Sequence, residues 1–372
     1  IQEDLAEEIA RSVGYSKIPS TIPPLTTAPL PQTGSESQLR LKALDRIKDL
    51  LCARGLCETI SYALTSRQWL AKFGITPEIP ICNPISEEQE VMVPSLIPGL
   101  VQVALHNWNH HFGSESLAIR LFELRPTFHR PFVENPDSQK IPPPPEAIYE
   151  TGVSETWRLA CVLSGPQYQG GVQVDRGEVD YYDLKALLEG LFSHLRTSGM
   201  RMQPLRLEQG PGLARIFHPG QSVQIVAGST CIGFSGLLHP ALSHELKFRA
   251  PLWAIELEVD PILGLSKGVA HLPQFKSWSS FPGMERDFAL LIKEGVESDK
   301  IVQLALKEGK PLVKSAKIFD VYRGVQIAQG MTSVAVRVIF LDETRNLQEP
   351  EVDLLSTRIL NRWKEELGVT LR

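Results

Sequence analysis

Phe288, Leu290 and Ile292 occupy every second position, and Val334, Val336, Val338 and Phe340 repeat the pattern over a longer stretch. Alternation of this kind marks strands with one face buried. The buried face needs a cover. Val352, Leu355, Ile359, Trp363 and Leu367 recur at spacings of three and four, with Pro350 where a first helical turn tolerates it. A further helix is predicted over Asp299–Lys307 and a strand over Ala316–Val321. The resulting order predicts a ferredoxin-like βαββαβ domain over residues 281–372.

Upstream the pattern changes. Leu41, Leu44, Ile47 and Leu51 form the apolar stripe of a helix, and Gly55 stands where a left-handed C-terminal cap belongs. A strand is predicted over Glu58–Leu64, a helix over Pro98–Trp108, a strand over Ala118–Leu124 and a long helix over Tyr182–Leu195. Asp180 and Asp183 precede or open that last helix and read as its cap. Two stretches lack periodicity: residues 19–37, rich in Pro, Thr and Ser, read as a linker, and residues 131–156, with Pro142–Pro145, as a surface loop. The fold class is therefore α+β.

Composition narrows the function. The chain has 372 residues, 38 Lys and Arg against 43 Asp and Glu, a net charge of −5 and 42% hydrophobic residues. That length suggests about two or three domains. No apolar run approaches the ~20 residues of a membrane span, and no charged-then-apolar leader is present, so no membrane partner and a cytoplasmic location are expected. Five cysteines, odd in number and without a C-x-x-C pair, argue against a disulfide framework or a zinc site. None lies in residues 281–372, which removes an iron–sulfur cluster from the ferredoxin-like domain. The chain opens at Ile1 in what reads as a helix under way, so a fragment is expected.

Three sets of residues carry candidate chemistry. Asp4, Glu7 and Glu8 share one face of an N-terminal helix. They suit either a hard divalent cation such as magnesium or a solvated acidic first turn. His106, His110 and His111 have a spacing that zinc accepts only with a third ligand near, and no Glu follows His106, so they read as surface or interface residues. Phe319, Tyr322 and Arg323 end one strand of the ferredoxin-like domain, and Arg337 and Arg345 flank another. A sheet of that kind can present aromatics and cations to unstacked RNA bases. The same residues also suit an ordinary strand end and turn.

Several phrases are similar to a known family. FPGMERDFALLI, IFDVYRG and ELGVTLR resemble the anticodon-binding domain of the bacterial phenylalanine–tRNA ligase β subunit, and NPISEEQEVMVPSLIPGL matches the same family. DLAEEIARSVGYSKIPSTIP looks like the end of its small B5 domain. The resemblance implies a B5 remnant (residues 1–24), a linker (25–37), a class II synthetase-like core without catalytic motifs (38–270), a linker (271–280) and the anticodon-binding domain (281–372). It also implies that the α subunit carries ATP, phenylalanine and the chemistry in an α2β2 heterotetramer, that this chain binds the phenylalanine tRNA, and that Asp4, Glu7 and Glu8 contribute to Mg2+ shared with α.

No catalytic residue is expected here. A working class II site needs an arginine on the ATP α-phosphate near Phe128, where this chain offers His129 and then Arg130. It also needs a glycine-rich segment with an arginine near Trp253–Leu265, and WAIELEVDPILGL has neither. The alternative is a stand-alone synthetase-derived regulator that binds RNA or protein without aminoacylation.

Overall fold

The computed structural model describes residues 1–22, 36–112, 117–130, 152–167, 177–197, 199–205, 213–265, 275, 277–324 and 327–371. Most of the two linkers, and residues 131–151 of the surface loop, lie outside them. The chain divides into two compact units, Ile1–Pro273 and Gln274–Arg372.

The first unit begins with α1 (Gln2–Val13), α2 (Glu36–Ala53), β1 (Cys57–Glu58), β2 (Leu64–Thr65), α3 (Arg67–Lys72) and β3 (Val91–Met92). It continues with α4 (Ile97–His110), β4 (Ile119–His129), β5 (Ser154–Ser164), α5 (Tyr181–Leu195), β6 (Met200–Pro204) and α6 (Leu213–Ile216). It closes with β7 (Phe217–Ala227), β8 (Thr230–Leu238), α7 (Pro240–Glu245), β9 (Leu252–Glu258) and α8 (Val259–Leu265). Seven strands form one sheet in the order β1-β4-β5-β9-β8-β7-β6. Only β1 joins in parallel, against β4; the other pairs are antiparallel. An antiparallel sheet with one parallel edge strand, backed by long helices, is the arrangement expected of a class II synthetase-like core.

Both faces of this sheet are covered, which explains why its central strands are apolar on both sides. On β5, Leu159, Cys161 and Leu163 enter a core with Leu44, Ile47 and Leu51 of α2 and Leu184, Leu188 and Leu191 of α5. The intervening Ala160 and Val162 meet Ile97, Leu100, Val101 and Ala104 of α4. Small side chains on that second face let α4 lie close. The α5 cap is as expected: Asp180 accepts from the Tyr182 N–H at 2.7 Å while Asp183 accepts from the Asp180 N–H at 2.9 Å. Gly55 takes the left-handed conformation expected of it, with φ 81°.

Two expectations fail locally. Leu41 is 60% exposed, so the apolar stripe of α2 begins only at Leu44. The strand over Glu58–Leu64 is instead two short pieces, β1 and β2, in different sheets. The physical reason is a carboxylate. Glu123 of β4 accepts the Ser61 N–H at 2.8 Å and the Ser61 hydroxyl at 2.9 Å, which takes the backbone donor a continuous strand would have used.

The second unit contains β10 (Met284–Lys293), α9 (Ser298–Glu308), β11 (Val313–Tyr322), β12 (Met331–Phe340), α10 (Glu349–Leu367) and β13 (Thr370–Leu371). This is the predicted βαββαβ order, and its sheet runs β11-β12-β10-β13. Leu290, Ile292, Val334, Val336, Val338 and Phe340 face the helices, with Ile301 of α9 and Val352, Ile359 and Trp363 of α10 completing the core. The opposite face of the sheet carries Glu285, Asp287, Lys317 and Arg337, each at least half-exposed or close to it.

Candidate nucleic-acid interface

The open face of the second sheet is built by register. Asp287 on β10 and Lys317 on β11 both lie opposite Arg337 on β12, giving a charged row across three strands. Beside it the β11 register shifts, from Ile318 opposite Val336 to Asp320 opposite Ala335, which leaves Phe319 unpaired in a bulge. Bulges re-aim side chains. Here the ring of Phe319 is 54% exposed, with the Arg337 guanidinium 5.1 Å from its centroid. Tyr322 ends the same edge strand, 41% exposed.

The cations expected here differ in availability. Arg337 donates Nε and Nη2 to the two Asp287 oxygens, each at 2.8 Å, and its Nη1 lies 3.5 Å from Glu285. That bidentate pair holds the Asp287 carboxyl below its ordinary range and raises Arg337 further, the hydrogen bonds being the main cause in both. Arg323 sits at the strand end, its Nε 3.3 Å from the Thr332 hydroxyl. Arg345 is elsewhere: it clamps Glu351 in the first turn of α10 and lies 3.2 Å from Asp342. The structure therefore brings Phe319 and Arg337 together on the open face, with Tyr322 further along the same edge strand, whereas Arg323 reaches Thr332, a buried position opposite Ile292, and Arg345 lies elsewhere. It adds Lys317, exposed and without an ion pair shown among the described residues. Period-two reading of KIFDVY, which puts Lys317 on the side of Phe319, was the signal for it.

The N-terminal carboxylates do not close into a metal site within this chain. Glu8 is engaged by Arg11, at 2.6 and 3.0 Å, and α1 buries none of its residues. Among the described residues, no three His, Cys, Asp or Glu side chains gather closely enough to hold a metal ion.

In the core, residues from the two segments where an arginine was sought in the sequence, His129 of β4 and Glu256 and Glu258 of β9, line one cavity of about 430 Å³. Arg158 of β5 lines it as well, with Glu78 and Ser95. Glu256 is fixed by the Ser95 hydroxyl at 2.9 Å and the Leu96 N–H at 2.6 Å. Arg158 lies between carboxylates, 3.8 Å from Glu256 and 3.5 Å from Glu258, and donates to the Pro94 carbonyl at 3.1 Å. Burial pushes the Glu258 carboxyl up, with Arg158 opposing. Burial, aided by Arg158, pushes His129 down from its ordinary 6.5, so it is largely neutral at pH 7. Three carboxylates thus face one guanidinium. A polyphosphate would meet net negative charge here.

The family model described as the phenylalanyl tRNA synthetase beta chain CLM domain matches residues 18–259. The chain belongs to the phenylalanyl-tRNA synthetase beta chain family. A second family model, the ferredoxin-fold anticodon binding domain, matches residues 279–372, which contain the whole four-stranded sheet just described. The phenylalanine–tRNA ligase beta subunit of Geobacillus kaustophilus (strain HTA426) is 30% identical over 374 residues, covering 100% of this chain and 42% of the relative. That of Methylococcus capsulatus (strain ATCC 33009 / NCIMB 11132 / Bath) is 31% identical over 377 residues, with the same two coverages of 100% and 42%. The chain thus spans less than half the length of these relatives. A crystal structure of pyrrolysyl-tRNA synthetase from Desulfitobacterium hafniense aligns with 63% of this chain and 75% of its own, at a TM-score of 0.43 and 13% identity. Among the described residues no helix is long and apolar enough to cross a membrane.

Proposed function

We propose that this chain is the non-catalytic, tRNA-binding part of a phenylalanine–tRNA ligase β subunit. In that reading an α subunit supplies the sites for ATP and phenylalanine and all of the chemistry. This chain holds the α subunit through the synthetase-like core and the tRNA anticodon region through the second unit, within a cytoplasmic α2β2 assembly. One observation carries the reading: the two family models occupy the chain in succession, each on its own compact unit. The acidic cavity supports it from the other side, because a core that repels polyphosphate leaves adenylate formation to a partner. Asp4, Glu7 and Glu8 would help hold magnesium only with ligands added by that partner. The stand-alone regulator gains no support from relatives that are ligase subunits.

The tRNA face is tested by filter binding. Phe319→Ala with Tyr322→Ala is expected to weaken binding of phenylalanine tRNA about ten-fold or more, since stacking a base on an aromatic ring contributes about 1–3 kcal/mol. Lys317→Ala is expected to lower the salt dependence of binding by about one counterion. Unchanged affinity and unchanged salt slope would move the RNA site off this sheet.

A further inference from the structure

The cavity of the core has a chemistry that the proposed function does not use. Glu78, Glu256 and Glu258 outweigh Arg158 there, and neutral His129 adds no charge. The carboxylates are not equivalent. Glu256 already accepts two hydrogen bonds and is 13% exposed. Glu258 is 40% exposed, and Arg158 stands 3.5 Å from it, beyond the 2.7–2.9 Å of a strong charge-assisted bond. Glu78 stands at the mouth, 41% exposed, accepting the Arg130 N–H at 2.7 Å. Both retain acceptor capacity. Ile75, Ile216 and Phe234 give the same cavity an apolar wall.

We propose that this cavity binds a small organic cation, a primary amine on a short aliphatic body, with the ammonium on Glu258 and the chain against Ile75, Ile216 and Phe234. Competing ligand classes fit less well. An anion meets the carboxylates. An amino-acid zwitterion needs a donor for its own carboxylate, and the nearby candidates are not available: the Leu96 N–H is taken by Glu256, the Arg158 Nη1 and Nη2 face two carboxylates and a carbonyl, and the Arg158 Nε, though without a partner among the described residues, is buried out of reach. A bare metal ion needs three converging ligands, which the described residues do not provide. The cavity's size, about 430 Å³, lies within the range of small-molecule sites.

Hexylamine, 1-hexanol and hexanoate have nearly the same shape and differ in charge, so calorimetric titration of each into the full chain separates charge from fit. Saturable hexylamine binding is expected, with the alcohol and the acid each at least ten-fold weaker. Glu258→Gln, which keeps the shape, should weaken hexylamine about ten-fold and leave hexanol unchanged. Glu78→Gln, at the exposed mouth, should weaken hexylamine about three-fold and gives a reading even where the Glu258 variant folds poorly. Absence of saturable hexylamine binding, equal binding of amine and alcohol, or hexylamine affinity unchanged in both variants would overturn the proposal. tRNA binding through the second unit is untouched by any of these outcomes, so the two readings fail separately.

Discussion

Trp363→Ala is expected to lower the stability of the second unit by about 3–5 kcal/mol, the usual cost of emptying a buried tryptophan site. Trp363 is fully buried. It stands edge-on to Phe288 with ring centroids 5.3 Å apart, and its indole N–H donates to the Ile301 carbonyl at 2.9 Å. One side chain therefore joins α10, β10 and α9. Truncation leaves a cavity, a helix carbonyl that loses its second hydrogen bond, and a helix with less to hold it. Small domains have only about 5–15 kcal/mol in total, so this loss removes much of the unit's margin. Urea unfolding followed by circular dichroism should show the transition of the second unit moving to lower urea, with that of the first unit in place. Trp363→Phe keeps most of the apolar contact and loses the hydrogen bond, and a cost of about 1–2 kcal/mol is expected. A Trp363→Ala cost below about 1 kcal/mol would mean that Trp363 does not organise this core.

Glu123→Ala is expected to cost the first unit a similar amount, about 3–5 kcal/mol, for a different reason. Glu123 is 1% exposed and pairs with the Arg125 Nε at 2.7 Å, while accepting the Ser61 N–H and hydroxyl. Removing the carboxylate strands a guanidinium that is itself only 15% exposed, left with the Tyr62 and Pro126 carbonyls and the Ser61 hydroxyl. It also releases the Ser61 N–H and hydroxyl, which tie the segment between β1 and β2 to β4. Glu123→Gln retains shape and part of the hydrogen bonding, so a smaller loss is expected. Thermal unfolding of the three proteins orders them as wild type, Gln, then Ala. Equal stability of the Ala variant would show that the Ser61 segment is held by other contacts.

Glu123 also marks where the sequence stops being readable. Apolar periodicity found the long helices and the βαββαβ order of the second unit but not the short helices α3, α6, α7 and α8, because an alternating or three-four pattern sustained over several turns is a direct record of which side faces the core. Periodicity carries no sign of a backbone donor captured by a side chain 62 residues away, so the break at Ser61 was invisible. Leu41 misled for a related reason: it sits one turn before the α2 residues that the core reaches. The candidate RNA face was legible as a set of residue types. Ion pairing within it was not, since Arg337 and Asp287 meet only through the register of β10 and β12. A carboxylate inside an apolar strand, as in LFEL and AIELE, is the one local hint that Glu123 and Glu256 have buried partners.

The central claim is that this chain assembles with a catalytic partner instead of acting alone. Co-expression with the α subunit of a bacterial phenylalanine–tRNA ligase, followed by sedimentation of the purified material, tests it most directly. A single species containing both chains, larger than either alone, is the expected result. The contradicting result is a well-folded chain that sediments apart from α at concentrations where both are soluble.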